Sequence, residues 1–133
     1  MRPPCELVVR FVLPAFRSLV ARELIERHNL SQTAAADRLG MTQAAVSYYL
    51  DSKRGDKRMR QLETIPAVQS AAKEVAKGIA SEDLSFMDSM SMFCKLCIAL
   101  RRSDVICELH RDYVPLSKDC NVCPDIHYPN RSA

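Results

Sequence analysis

The chain has 133 residues, 47% of them hydrophobic and 26% charged, and its formal net charge is +3 at pH 7. This composition fits one globular domain with a small appendage, and the charge is too small to identify a nucleic-acid partner by itself. No stretch approaches the roughly 18 uncharged apolar residues of a membrane span, so we expect no membrane partner. The apolar run near the N-terminus is short, is interrupted by Arg10 and lacks a small-residue cleavage site. We therefore expect a cytoplasmic protein with reduced thiols.

The residue pattern predicts an all-α protein, because glycines are few and no long run alternates apolar and polar residues. A proline pair is compatible with the start of a helix over residues 3 to about 12, where a missing N–H costs nothing. Pro14 then predicts a kink or a fresh start. From residue 15 to about 29, apolar residues recur at helical spacing and predict a helix with one buried face.

Two short helices joined by a tight turn are predicted next. Ser31 is suited to cap a helix over residues 32–39, and Thr42 is suited to cap another over residues 43–51. Gly40 between them provides the left-handed residue that lets the chain reverse. The positions expected to face inward are Ala36, Val46 and Leu50. This arrangement is the geometry of a helix-turn-helix.

The two predicted helices contain Gln32, Ala36, Asp37, Leu39, Gly40, Met41, Gln43 and Val46. At these spacings the chain resembles the lambda-repressor-like, or XRE, family of helix-turn-helix transcriptional regulators. The resemblance implies that the second helix enters the major groove of double-stranded DNA. It also implies a homodimer on a palindromic operator, because two copies side by side match a two-fold symmetric site.

Within this motif, Gln43 is the candidate for direct readout, since a carboxamide can pair bidentately with adenine. Ser47 lies one turn further on the same face. Hydroxyl and amide groups at the helix starts are suited to phosphates, and the basic run after the second helix is suited to the DNA backbone. The expected DNA-contacting residues are Ser31, Gln32, Thr42, Gln43, Ala44, Ser47, Tyr48, Lys53, Arg54, Lys57 and Arg58.

A simpler interpretation exists for several of these residues. Ser31 and Thr42 can serve only as helix caps, and a basic run after a helix can be a solvated connector. Tyr48 and Tyr49 are adjacent and point in different directions, and we expect Tyr49 to pack in the core because it aligns with Val46. The coincidence of the two helices with the basic run favours DNA binding.

Beyond the basic run, apolar spacing predicts a helix over residues 65–79, and Gly78 and Ser81 mark its end. Ser81 is also suited to cap a long helix that runs to Arg101-Arg102, with acidic residues in its first turn. The apolar face of this long helix is wide enough to serve a partner helix as well as the core. We therefore divide the chain into residues 1–62, with the DNA-binding helices, and residues 63–133, with a dimerisation and cysteine-rich region.

Five of the six cysteines lie in the last third of the chain, as Cys94-x-x-Cys97, Cys107 and Cys120-x-x-Cys123. Paired thiolates at this spacing typically hold zinc or an iron-sulfur cluster. The segment from residue 103 onward also has too few apolar residues to stabilise itself, which favours a metal-stabilised segment. Two Cys-x-x-Cys pairs supply four ligands without Cys107. Cys5 is expected to be a small buried apolar residue, and His110 is a ligand candidate only in a zinc site.

Spacing alone does not decide between the two metals. The gap between the pairs is slightly longer than in common zinc ribbons, and the proline after Cys123 favours iron-sulfur. The opening Pro4-Cys5-Glu6, the helix-turn-helix and the cysteine tail together resemble a group of small archaeal predicted transcriptional regulators. This resemblance implies an iron-sulfur cluster, with 4Fe-4S favoured, that senses redox state or iron-sulfur status. Zinc in a DNA-binding or adapter protein without redox sensing is the alternative.

An enzyme is not expected, because no Ser-His-Asp, paired-carboxylate or phosphate-loop arrangement is present and no small-molecule substrate is evident. A thiol-disulfide oxidoreductase would carry its Cys-x-x-Cys at a helix N-terminus after a strand. Cys94 and Cys97 instead fall late in an amphipathic helix. The sequence therefore predicts a regulator, expected to be a repressor, whose cluster would hold the Cys94 helix against the last loop and set the dimer spacing.

Overall fold

The computed structural model describes residues 2–51, 57–120 and 122–125, and every regular element within these residues is helical. The predicted all-α class is confirmed. None of the described helices is long and apolar enough to cross a lipid bilayer. The elements are α1 (Pro4–Leu7), a π-helical turn (Val8–Val12), α2 (Leu13–Glu26), α3 (Gln32–Leu39), α4 (Gln43–Leu50), α5 (Lys57–Glu63), α6 (Pro66–Ala80), α7 (Phe86–Arg102), α8 (Asp104–Tyr113) and α9 (Val122–Asp125).

The chain passes Pro14 without starting a new helix. In a regular α-helix the ring of Pro14 would press on the carbonyl of Arg10, and its missing N–H would leave that carbonyl unpaired. The π-helical turn lies directly before the proline, and the backbone N–H of Leu13 donates to the carbonyl of Val8, five residues back. This wider turn accommodates the ring. The predicted interruption at Pro14 is therefore a π turn that joins α1 to α2.

Helix α2 is the centre of the fold. It packs along α6 and also contacts α3, α4 and α5, while α7 packs against α6, α8 and α9. The fully buried large side chains include Leu7, Val12, Val20, Leu24, Val46, Val68, Val75 and Ile106. Burying each such side chain contributes about 1.5–3 kcal/mol, so the main stabilisation lies where α2 meets its neighbours.

The connection between α6 and α7 corrects one sequence prediction. Ser81 does not cap α7; it ends α6, and its hydroxyl donates to the Lys77 carbonyl at 2.9 Å. The cap is Ser85, whose Oγ accepts from the backbone N–H of Asp88 at 3.1 Å while the Asp88 carboxylate accepts from the Ser85 N–H at 3.0 Å. The Ser85 hydrogen bonds lower the pKa of Asp88 below its ordinary value. Glu82, with a φ of 61°, turns the chain before this capping box.

Gly78 allows this turn to close on α6. A Cβ at position 78 would overlap the Leu84 side chain, whose own Cβ lies 3.2 Å from that point. The glycine is therefore required by the close approach of Leu84 and not by an unusual backbone conformation. Leu84 is held there by the hydrogen bond from its N–H to the Gly78 carbonyl at 3.2 Å.

We predict that Gly78→Ala lowers the free energy of unfolding, although alanine normally stabilises a helix interior by about 1 kcal/mol relative to glycine. In a Leu84→Ala background the overlap is absent, and the same substitution should raise stability by about that amount. Urea unfolding followed by circular dichroism on the four proteins measures both effects. Equal stabilisation in both backgrounds would show that Leu84 does not restrict position 78.

Candidate nucleic-acid interface and cysteine cluster

The pair formed by α3 and α4 is built by local hydrogen bonds that were expected from the sequence. The Ser31 Oγ accepts from the backbone N–H of Ala34, and the Thr42 Oγ1 accepts from that of Ala45, both at 3.1 Å. Between the helices, Gly40 has a φ of 65°, a left-handed conformation that glycine adopts without strain. The predicted caps and turn are confirmed, and they set the length of both helices.

Small buried residues attach this helix pair to α2. Ala21 of α2, Ala36 of α3 and Val46 of α4 form one buried cluster, with Leu39 and Leu50 partly buried against it. The two alanines allow the helix backbones to approach closely, because neither side chain extends beyond Cβ. The inward positions predicted for Ala36 and Val46 are thus observed, and Leu50 is half-buried.

Polar groups of α2 also hold the C-terminal end of α4. The Tyr49 carbonyl accepts from the Ser18 hydroxyl at 3.4 Å and from the Arg22 guanidinium at 3.3 Å. A cation at a helix C-terminus interacts favourably with the helix dipole, and Ser18 is itself buried. These bonds fix how far α4 projects from the core.

The opposite face of α4 is open to solvent. Gln43, Ala44 and Ser47 are exposed, and Tyr48 is 46% exposed with its ring edge-on to that of Tyr49. Tyr49, which was expected to pack in the core, is only half-buried. The Gln43 Nε2 donates to the Gln32 Oε1 at 2.8 Å. This bond orients the Gln43 carboxamide and links the start of α4 to the start of α3.

The basic run is only partly placed. Lys53 and Arg54 lie outside the described residues, while Lys57 is exposed at the start of α5. Arg58 is half-buried, and its guanidinium lies 5.5 Å from the ring centres of both Phe11 and Tyr113. Contacts of this kind are favourable cation–π interactions. Arg58 therefore packs against Phe11 and Tyr113, a role that was not predicted when it was assigned to DNA contact.

The cysteines divide by environment. Cys107 and Cys123 are buried within the main core, Cys97 is half-buried against it, and Cys5 and Cys94 are exposed. Burial raises the pKa of the Cys97 thiol, and negative charge on Cys94, Cys123 or Cys5 would raise it further, against an opposing effect of Arg101. The position expected for Cys5, a buried apolar site, is therefore wrong.

Cys107, which was predicted to be dispensable for ligation, is buried in the same core cluster as Cys123. Burial is the main cause that raises the pKa of its thiol, and negative charge on Cys123 or Cys120 would raise it further. Cys94, in contrast, faces a groove beside α2. No spacing rule shows this division, because it depends on how α7 and α8 pack.

The donor chemistry of this region suits a soft metal or an iron-sulfur cluster, since thiolates are the ligands that both prefer. The side-chain positions do not yet form such a site: among the described residues, no three Cys, His, Asp or Glu side chains are placed to hold a metal ion together. His110 is engaged elsewhere. Its Nε2 lies 2.7 Å from the carbonyl oxygen of Arg2, to which it must donate because a carbonyl only accepts.

The His110 bond belongs to a contact that sequence reasoning missed. The N-terminal segment returns to α8, where the Arg10 guanidinium donates to the Tyr113 hydroxyl and Arg2 lies 5.2 Å from the Tyr113 ring centre. More than a hundred residues separate these partners in the chain. No local signal predicts such pairs. Their consequence is that α1, which carries Cys5, is held beside the cysteine-containing helices.

Comparisons of this chain with protein-family models, curated proteins and solved structures give no match. The geometry of its own residues is therefore the basis for a functional assignment. Two features stand out: an exposed face on a short, capped helix, and a pair of buried cysteines, Cys107 and Cys123, with Cys97 half-buried against the same core.

We predict that native protein reacts with iodoacetamide at neutral pH first at the exposed Cys5 and Cys94 and last at the buried Cys107 and Cys123. Cys97 should also react slowly, because a raised pKa leaves less of the reactive thiolate at neutral pH. Peptide mass spectrometry over time gives each rate, with urea-unfolded protein as the control in which all sites react alike. Modification of Cys107 as fast as Cys94 would contradict this burial.

Proposed function

We propose that this chain is a sequence-specific DNA-binding transcriptional regulator whose α3 and α4 form a helix-turn-helix and whose α4 enters the major groove. The observation that carries the proposal is the exposed N-terminal half of α4, with Gln43 oriented by Gln32. Regulators of this class read DNA with the N-terminal residues of the second helix.

The hydrogen-bonding capacity of Gln43 supports base readout. Its Nε2 has two N–H groups, and only one is needed for the bond to Gln32. The second N–H and the Oε1 acceptor match the N7 acceptor and N6 donor of adenine. The bond to Gln32 also limits the rotamers of Gln43, so less conformational entropy is lost when a base is bound. Ser47, exposed on the next turn, extends the same face.

Phosphate contacts are proposed for groups at the starts of the two helices. Ser31 and Thr42 cap α3 and α4 and are exposed, so their hydroxyls can still donate to a phosphate oxygen while they accept from the backbone. Positive charge from Lys57 and from the preceding Lys53 and Arg54 adds affinity that is independent of base sequence. These contacts would position α4 without reading bases.

A homodimer is proposed from the exposed apolar start of α7. Phe86, Met87 and Met90 are 65%, 75% and 50% exposed, respectively. A cluster of large apolar side chains in solvent commonly marks an interaction surface. A second copy that covers this surface would place two copies of α4 for a palindromic operator.

For the cysteines we propose that Cys97, Cys107, Cys120 and Cys123 hold an iron-sulfur cluster, with 4Fe-4S favoured, and that it senses redox state or iron-sulfur status. The choice of Cys107 over Cys94 is supported by its burial in the core cluster that also contains Cys123, whereas Cys94 is exposed and lines the groove beside α2. When bound, such a cluster supplies reversible one-electron chemistry. Zinc on the same sulfur atoms, in a DNA-binding or adapter protein without redox sensing, is the alternative.

We predict that Gln43→Ala weakens binding to the cognate operator by about 1–3 kcal/mol and leaves binding to random DNA almost unchanged. Arg54→Ala should weaken both alike and reduce the salt dependence of binding by about one unit, because one phosphate contact and its counterion are lost. Fluorescence-anisotropy titrations at several salt concentrations measure both effects, on an operator obtained by selection from a random DNA library.

Gln61→Ala, an exposed glutamine of α5, is the matched control and should change neither affinity. If Gln43→Ala kept the operator preference while Arg54→Ala altered it, α4 would not be the reading element.

We predict that protein purified without oxygen is brown, with a broad visible absorption from sulfur-to-iron charge transfer, and contains iron and sulfide. Cys107→Ser and Cys123→Ser should each remove most of the iron, whereas Cys94→Ser should retain it. Metal analysis and the absorption spectrum of the four proteins distinguish these cases. A colourless preparation with one zinc per chain would favour the alternative, and retention of iron by Cys107→Ser with loss in Cys94→Ser would restore the assignment from spacing.

A further inference from the structure

An apolar groove separates the helix pair from the cysteine-bearing helix. It lies between α2, α6 and α7 and has a volume of about 510 Å³. Pockets of roughly 300–1,000 Å³ are the size that proteins use for small ligands. Phe16 and Phe93 form part of its wall, with ring centres 5.2 Å apart. The space is therefore large enough for a ligand.

The groove is open on the side of α7. Phe86 and Met90 line it, although they are 65% and 50% exposed. Leaving this apolar area in water costs about 25 cal/mol per Å² relative to covering it. A ligand with an apolar body would recover part of that free energy without any change in the backbone.

The charged side chains that line the groove determine which polar head group a ligand with an apolar body could carry. Two arginines line the groove. Arg38 donates to the carbonyls of Ile79 and Ala80 at 2.9 and 3.3 Å and to the Glu82 carboxylate at 3.1 Å. Arg17 is exposed and has no ion pair or hydrogen bond within residues 2–51, 57–120 and 122–125. One unpaired cation therefore stands beside an apolar surface.

We propose that this groove binds a small amphipathic anion, of the class of aliphatic carboxylates, with its head on Arg17 and its chain along Phe16, Phe93 and Met90. A planar guanidinium can hold a carboxylate through two parallel hydrogen bonds. The Glu82 carboxylate, the acidic group that lines the groove, is paired with Arg38 at 3.1 Å, which reduces its repulsion of an anionic ligand.

The location of the groove gives the ligand a regulatory role, and this part rests on the proposed DNA binding. Leu39 at the end of α3 lines one side, and Cys94 lines the other. Phe86 also lies near the turn of the helix pair, 3.6 Å from the point where a Cβ of Gly40 would be. A chain inserted between these groups contacts both α3 and α7, so it can bias their relative position.

The binding test uses decanoate with the full protein and no DNA, followed by isothermal titration calorimetry. We expect saturable binding of one decanoate per chain, weakened about tenfold or more in Arg17→Gln, as expected for the loss of a charge-assisted contact. Arg102→Gln, an exposed arginine of α7 outside the groove, is the matched control and should bind as wild type. Ser89→Trp should block binding by filling the groove. Circular dichroism verifies that the variants are folded.

Three outcomes would overturn the proposal: no binding of decanoate, equal binding by Arg17→Gln, or equal affinity for decyltrimethylammonium, which has the same chain and a cationic head. The second copy proposed to cover Phe86 and Met90 would compete with the anion for this surface, so decanoate should shift the dimer towards monomer in sedimentation experiments. If decanoate left the dimer unchanged and bound only a monomer produced by Met87→Ser, a substitution outside the groove lining, the groove would be a dimer interface and this proposal would be wrong. Gln43→Ala should reduce operator preference and leave decanoate binding intact, which separates failure of this proposal from failure of the DNA-binding assignment.

Discussion

The architecture depends on the burial of α2 against two groups of helices. Val20 and Leu24 pack in the main core that α6 shares, and Ala21 packs with residues of α3 and α4 in a second cluster. The large side chains in the main core supply most of the apolar burial, while the small side chain of Ala21 allows close helix approach. The π turn before Pro14 is what lets this helix continue from α1 without a break.

Polar contacts then set orientations that apolar burial leaves open. Hydrophobic contacts are not directional, whereas the bonds from Ser18 and Arg22 to the Tyr49 carbonyl are made in one arrangement of α2 and α4. The bond between Gln43 and Gln32 likewise fixes the start of α4 relative to the start of α3, further from the core. A side chain proposed to read a base is thus positioned through a chain of contacts that begins in the core.

In the cysteine-bearing half, the burial of the thiols and their use as metal ligands have opposite effects on thiol protonation. Cys107 and Cys123 are buried, and burial raises the pKa of Cys107. A bound metal favours the deprotonated form, so ligation and the burial seen here oppose each other until the metal is present. The long-range bond from His110 to the Arg2 carbonyl holds the N-terminus against this half without any metal.

Local patterns in the sequence determined the helical class, the caps at Ser31 and Thr42, the turn at Gly40 and the inward positions of Ala36 and Val46. Each of these depends on residues within about one or two helical turns, a range over which hydrogen bonding and side-chain spacing are readable. The cap of α7 was misplaced because Ser81 was chosen over Ser85, although Ser85 has Asp88 three residues later, the local signature of a capping box. Only the tertiary structure decided that Cys107 and Cys123 share one core cluster, that Cys5 is exposed and that Arg58 packs over the rings of Phe11 and Tyr113. Those outcomes depend on helices far apart in the chain, whose mutual packing has no local signature.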